Sequence, residues 1–270
     1  LSGLVGSEMC IRDRSNTSQL NNGKPTYVYC HGWQDGPASP SSNVLYNKLR
    51  AKLGDSANIV FVDWEGLAKI KTGPTPPQEE CSETDQVGQC VADALYKSGV
   101  NIESLSLIGH SLGSYVMAAT SKYLQAFGLG KPLSYTALDP AYTPYPYGYI
   151  LDARKGTTTQ AFEPFSNLSF NTLAKETYSY TVSDLAGGVA SIAGDNAKAS
   201  TADNAYIVQY LEQPVMNSSY SNFLPLALVD LIKTAYAEGT KGGMATSYHN
   251  GVIGVYADLF LKGRLKAPSR

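Results

Sequence analysis

The run SLSLIGHSLGSYVMAA, residues 104–119, decides how this chain reads. Its first part, Ser104 to Ile108, is a short apolar segment that suits a buried strand. From Leu112 onward it is rich in small residues (Ser114, Ala118, Ala119) and suits a helix reaching to about Ala126. Between the two, Gly109-His110-Ser111-Leu112-Gly113 joins strand to helix directly. A G-x-S-x-G pattern alone arises by chance in about one chain in ten of this length. Set between strand and helix it predicts a tight, strained turn that lifts the serine Oγ above the sheet, with the glycines permitting close packing. The helix that follows aims its partly positive N-terminus at charge developing beside that serine. Ser111 is therefore the expected nucleophile, against the plainer reading of a serine in an ordinary strand-to-helix turn.

Working outward, β-branched or aromatic runs alternate with amphipathic stretches from residue 26 to about 138, which predicts successive βαβ units and a parallel sheet. Thr26 to Cys30 reads as a strand, followed by a helix capped by Ser41 or Ser42 with its stripe at Val44, Leu45, Leu49 and Leu53. Asn58 to Asp63 is a second strand, and Pro74, Pro76 and Pro77 make a loop before a helix carrying Val87, Val91, Ala92 and Leu95. Leu133 to Leu138 is the strand after the nucleophile helix. Beyond Asp139 the pattern loosens, with strands expected at Thr177 to Val182 and Ala205 to Leu211, an apolar helical segment from about Asn222 to Ala237, and a last helix following His249.

A serine hydroxyl attacks only when a base removes its proton, and the chain has three histidines. His110 sits on the elbow itself, where its ring cannot easily turn back to Ser111. His31, in His31-Gly32-Trp33 after the first strand, is better placed to shape an oxyanion-binding loop. His249 remains, late in the chain in a loop opening the last helix, as the order serine, acid, histidine requires. The acid should follow a strand at the carboxyl edge of the sheet. Asp139 closes LSYTAL and is fixed by Pro140, whereas Asp184, Asp195 and Asp203 lie in less regular segments. Trp33 and Leu112 are expected to supply the backbone N–H groups of the oxyanion hole.

Composition agrees with an enzyme core. Of 270 residues, 43% are apolar and 16% charged, enough apolar surface to cover both faces of a buried sheet and too much for a disordered chain. Net charge is −2 without a Lys/Arg cluster, so nucleic acid is not an expected partner. The longest apolar stretch, Phe223 to Ile232, holds Asp230 and is about half the roughly 20 residues a bilayer-spanning helix needs. The opening LSGLVGSEMCIRDR (1–14) reads as translated adapter rather than native chain, which leaves 15–270 as one expected catalytic domain and sets Cys10 aside. Cys30 suits a small buried hydrophobe. Cys81 and Cys90 flank the expected helix start and could pair in an oxidising compartment. No cysteine spacing forms a metal site, and no cofactor is expected.

Four blocks carry a resemblance: YVYCHGWQDG (27–36), VFVDWEG (60–66), SLIGHSLGSYVMAA (106–119) and ALDPA (137–141), with SYHNGVIGVYADL (247–259) as a weaker fifth. Together they resemble the pancreatic-lipase-like family of triacylglycerol lipases and phospholipases A1, in a bacterial or metagenomic type of member. The resemblance implies an α/β-hydrolase fold, a mostly parallel sheet with helices on both faces. It implies a triad of Ser111, Asp139 and His249, an early-loop hole residue at Trp33, and secretion. It also implies a structural calcium near Leu151-Asp152, yet the flanking ligand positions hold Tyr147 and Lys155, and a lysine ammonium repels a cation.

The family's lid position falls on residues 219–244, whose apolar side chains Phe223, Leu224, Leu226, Leu228, Val229, Leu231 and Ile232 exceed one solvated face. Both an amphipathic lid opening on lipid surfaces and a core helix fit that pattern. Tyr142, Tyr145, Tyr147 and Tyr149 suit either an acyl-chain groove or surface packing. The expected substrate is a lipid ester met at a lipid–water interface, with a phospholipase A1, a soluble-ester esterase or a non-catalytic lipid-binding protein as alternatives.

Overall fold

The computed structural model describes residues 20, 21, 23–33, 35–68, 78–140, 149–152, 157–160, 168–184, 201–210 and 244–261. The opening residues 1–14, Tyr142, Tyr145, Tyr147, Lys155, Asp195 and residues 219–243 of the lid segment lie outside them.

The chain alternates strand and helix as the periodicity predicts: β1 (Thr26–Cys30), α1 (Pro40–Leu53), β2 (Asn58–Val62), α2 (Glu65–Ala68), α3 (Gln78–Lys97), β3 (Leu105–His110), α4 (Gly113–Ala126) and β4 (Ser134–Leu138). A hairpin of β5 (Tyr149–Asp152) and β6 (Thr157–Gln160) follows, antiparallel and separate from the main sheet. The main sheet then takes β7 (Glu176–Asp184) and β8 (Asn204–Tyr210), and α5 (Met244–Leu261) comes last. Its order is β2-β1-β3-β4-β7-β8, with every neighbouring pair parallel.

Period-two alternation sends successive residues to opposite faces. Val28, Val60, Leu105 and Leu107 bury against Val87, Val91 and Leu95 of α3 and Val116 and Met117 of α4. Tyr29, Phe61 and Ile108 bury on the other face against Leu45 and Leu49 of α1 and Val252, Ile253 and Tyr256 of α5. Each fully buried aliphatic side chain contributes roughly 1.5–3 kcal/mol, so both helical layers are held by the sheet they cover. Lys48 of α1 adds an ion pair with Asp258 of α5 at 2.5 Å.

Strand order reverses between β1 and β3, since the chain leaves β1 toward β2 and returns on its other side. Such a switch point opens a crevice at the carboxyl ends of the strands. Register aligns those ends: Cys30 pairs with Gly109, His110 with Leu138, and Leu138 with Tyr180. The segments leaving β1, β3 and β4 therefore emerge side by side.

Four details correct the expectations. The α1 cap is Ser39, whose Oγ accepts from the Ser42 N–H at 3.2 Å, because Pro40 takes the first helical position, where its lack of an N–H costs nothing. A short α2 and the β5/β6 hairpin appear where no periodicity announced them. Cys81 and Cys90 both lie within α3, where a rise of about 1.5 Å per residue sets their Cα atoms roughly 13 Å apart, beyond disulfide reach; Cys90 is a free thiol. His249 belongs to α5, which begins five residues earlier at Met244, instead of to a loop before it. No Gly or Pro interrupts residues 244–249, so nothing in that stretch stops the helix from starting upstream.

Candidate active site

Ser111 leaves β3 with φ of 55°, a left-handed conformation that costs a non-glycine residue on the order of 1–2 kcal/mol. Local bonds hold it there. Its N–H donates to the Leu138 carbonyl at 3.0 Å, and its own carbonyl accepts from the Ser114 N–H at 3.1 Å. The motif glycines are there for closeness. A Cβ on Gly109 would stand 2.4 Å from the Gly113 oxygen and the Ser114 Cα, and one on Gly113 would stand 2.3 Å from the Cys30 oxygen. Helix α4 is thus pressed onto both β3 and the end of β1, and only glycine fits at either contact.

Asp139 leaves β4, is fully buried, and has φ of 42°. Its N–H donates to the Tyr180 carbonyl at 2.7 Å, extending the sheet ladder by one bond. Its Oδ2 accepts from His249 Nδ1 at 2.5 Å. A proton held on Nδ1 leaves Nε2 of a neutral imidazole as an acceptor. His249 keeps some access to solvent, with its side chain 16% exposed.

The other two histidines converge on the same place. His31 is fully buried after β1, its ring stacked on Trp64 at 5.8 Å between centroids, and the Trp64 indole donates to the His31 carbonyl at 2.9 Å. These contacts fix the path of the loop toward Gly32 and Trp33. Gly32 abuts the serine: a Cβ there would lie 2.6 Å from Ser111 Cβ and 3.2 Å from its Oγ. His110 points across to α5, where its Nε2 donates to the His249 carbonyl at 3.0 Å and the two rings lie 4.5 Å apart. Burial, and then the neighbouring His249 and His31, hold the His110 imidazole well below its usual range, against the opposing effect of the hydrogen bond it donates to the His249 carbonyl, so it is neutral near pH 7. Sequence reasoning set His110 aside because it judged only reach to Ser111.

Of the expected hole residues, Leu112 is buried at the start of α4 and Trp33 is half-buried, packed on the core beneath α3 and α4. Among the described residues neither backbone N–H meets a carbonyl. Asp203 sits just before β8, at the opposite edge of the sheet, where its Oδ2 accepts from Thr177 Oγ1 at 2.7 Å. Asp184 ends β7 with its side chain outside the described set. No group of three or more His, Cys, Asp or Glu among the described residues could hold a metal ion. No described helix is long and apolar enough to cross a membrane.

A parallel sheet with this switch point, a serine on a positive-φ elbow and helices on both faces define the α/β-hydrolase fold. The chain belongs to the Lipase family, whose profile matches residues 9–149. That stretch holds Trp33, Ser111, Leu112 and Asp139 and ends before His249, whose assignment rests on geometry. A phospholipase A1 of Dinoponera quadriceps is 31% identical over 129 residues, 44% of this chain and 32% of that protein. A phospholipase A1 of Vespula maculifrons is 30% identical over 132 residues, 44% of this chain and 41% of that protein. The match therefore spans about a third to two fifths of the length of these curated relatives. Among solved structures, a sugar hydrolase from Lactococcus lactis aligns loosely over 92% of each chain at 14% identity, with a TM-score of 0.46.

Proposed function

We propose that the protein hydrolyses carboxylic esters of lipids through an acyl-enzyme on Ser111, with His249 as base and Asp139 as the group that orients and charges against it. The observation that carries this reading is the Asp139–His249 hydrogen bond at the carboxyl edge of the sheet, joined to a serine held at positive φ one strand away. His249 Nε2 takes the Oγ proton as the oxygen attacks the ester carbonyl. The N–H groups of Leu112 and Trp33 receive the oxyanion, aided by the N-terminus of α4. Collapse of the tetrahedral species breaks the bond to the alcohol oxygen, which leaves with the proton from His249. Water then attacks the acyl-serine, gives its proton to His249, and the serine regains that proton as the carboxylic acid departs. No cofactor enters these steps.

Membership of the Lipase family and the apolar residues 223–232 favour a glycerolipid taken at a lipid–water interface. Phospholipase A1 relatives favour a second reading, in which the ester belongs to a glycerophospholipid. Hydrolysis of a triglyceride emulsion, phosphatidylcholine vesicles and a short p-nitrophenyl ester, each by wild type and Ser111→Ala, separates them. Wild type should act on at least one lipid and the variant on none; equal rates for both proteins on every substrate would remove the reading.

A further inference from the structure

The geometry assigns His110 as a positioning residue that holds the backbone of His249 against β3, so that the base is fixed at two points from two adjacent strands. This rests on the acyl-transfer reading and deepens it. Asp139, at the end of β4, grips the His249 imidazole at Nδ1. His110, at the end of β3, grips the same residue through its carbonyl oxygen at 3.0 Å and packs ring against ring at 4.5 Å. A single bond to Nδ1 would leave the imidazole free to swing about it. A second bond to the main chain of that residue fixes the Cα from which the ring projects.

The remaining contacts of His110 agree with a clamp. Its side chain is buried, and among the described residues Nδ1 meets no hydrogen-bond partner. A Cβ on Gly32 would lie 3.3 Å from that nitrogen, so the ring is wedged between the early loop and α5. Among the described residues, the directional bonding of this buried imidazole goes to one atom of His249. Being the chain neighbour of Ser111, His110 also ties the position of the base to that of the nucleophile.

The test compares wild type, His110→Gln, His110→Asn and His110→Phe as full chains. Glutamine carries an amide N–H close to the place of Nε2, asparagine reaches only the place of Nδ1, and phenylalanine keeps a ring without a donor. With p-nitrophenyl butyrate as probe, kcat should fall about tenfold or more in the Asn and Phe variants, the scale expected when a catalytic group is displaced by a fraction of an ångström to one ångström. KM should stay within about twofold, and Gln should restore most of kcat. In parallel, the far-downfield proton resonance of the His249–Asp139 hydrogen bond should persist in wild type and Gln and be lost in Asn and Phe. Asn and Phe variants with wild-type kcat and an intact resonance would overturn the assignment, as would Gln losing kcat to the same extent as Asn. Should Phe fail to fold, the Gln–Asn contrast decides. A wild type inactive on every ester ends the hydrolase reading alone, because the resonance still reports on the clamp.

Discussion

His249 Nδ1 and Asp139 Oδ2 meet at 2.5 Å although 110 positions separate them in the chain. The carboxylate is fully buried, so its charge faces the imidazole with little water to screen it. Replacing Asp139 by asparagine keeps the shape and removes the charge, and the amide favours the wrong imidazole tautomer. Asp139→Asn should lower kcat by roughly 10³–10⁴-fold with KM little changed. Steady-state kinetics on a soluble ester, with a thermal melt to show the fold intact, check this; a loss under tenfold contradicts it.

Gly32 has a different kind of importance, since its backbone is not in the left-handed region. What forbids a side chain is Ser111, 2.6 Å from the place a Cβ would occupy. Gly32→Ala should cost about 1–3 kcal/mol of stability and, by moving the serine or the hole loop, on the order of 100-fold in kcat. Urea denaturation and kinetics on the same preparation measure both. Near-normal activity with normal stability would mean that the two segments do not touch.

His110 makes stability depend on pH in a definite direction. Its pKa in the unfolded chain is the usual 6.5, and in the folded protein it lies well below that. As pH falls below about 6.5, the unfolded chain takes up a proton that the folded one refuses, so stability is full above that value. It declines on acidification at up to about 1.4 kcal/mol per pH unit. Denaturation between about pH 7 and pH 5 should show wild type losing more stability than His110→Gln. Parallel curves would contradict a neutral, buried His110.

Cys90 is a free, half-buried thiol on α3, while Cys30 is fully buried in β1. An alkylating reagent should modify Cys90 in the native protein without prior reduction and reach Cys30 only on unfolding. Peptide mapping by mass spectrometry reads this directly. Modification of Cys90 only after a reductant would show a disulfide and force a redrawing of α3.

Much of the architecture was legible because its signals are local. Strands β1 to β4 are apolar runs buried on both faces, and the elbow between β3 and α4 is written in two glycines, at each of which an added Cβ would come within 2.3–2.4 Å of neighbouring backbone. The place of Asp139 at the end of β4 was legible for the same reason, since it stands between an apolar strand and a proline. What escaped depends on distance or on the main chain. The bond from His110 ends on a carbonyl oxygen, which every residue has, so no sequence pattern marks its partner. The helical setting of His249 was obscured by Asn250 and Gly251 directly after it, a residue type that favours helix starts followed by a poor helix former. The α1 cap was misplaced by two or three residues among nearby serines, although Pro40 at the first helical position was the signal that singles out Ser39. The cysteine pair looked close in sequence, and only the rise of an uninterrupted α3 separates it.

The central claim is that Ser111 is made nucleophilic by His249, and covalent capture tests it without knowledge of the natural substrate. Treated with diethyl p-nitrophenyl phosphate, wild type should gain one diethylphosphoryl group, mapped by mass spectrometry to Ser111, and His249→Ala should gain it at least about 100-fold more slowly. Modification at another residue, or equal labelling rates in the two proteins, would contradict the account.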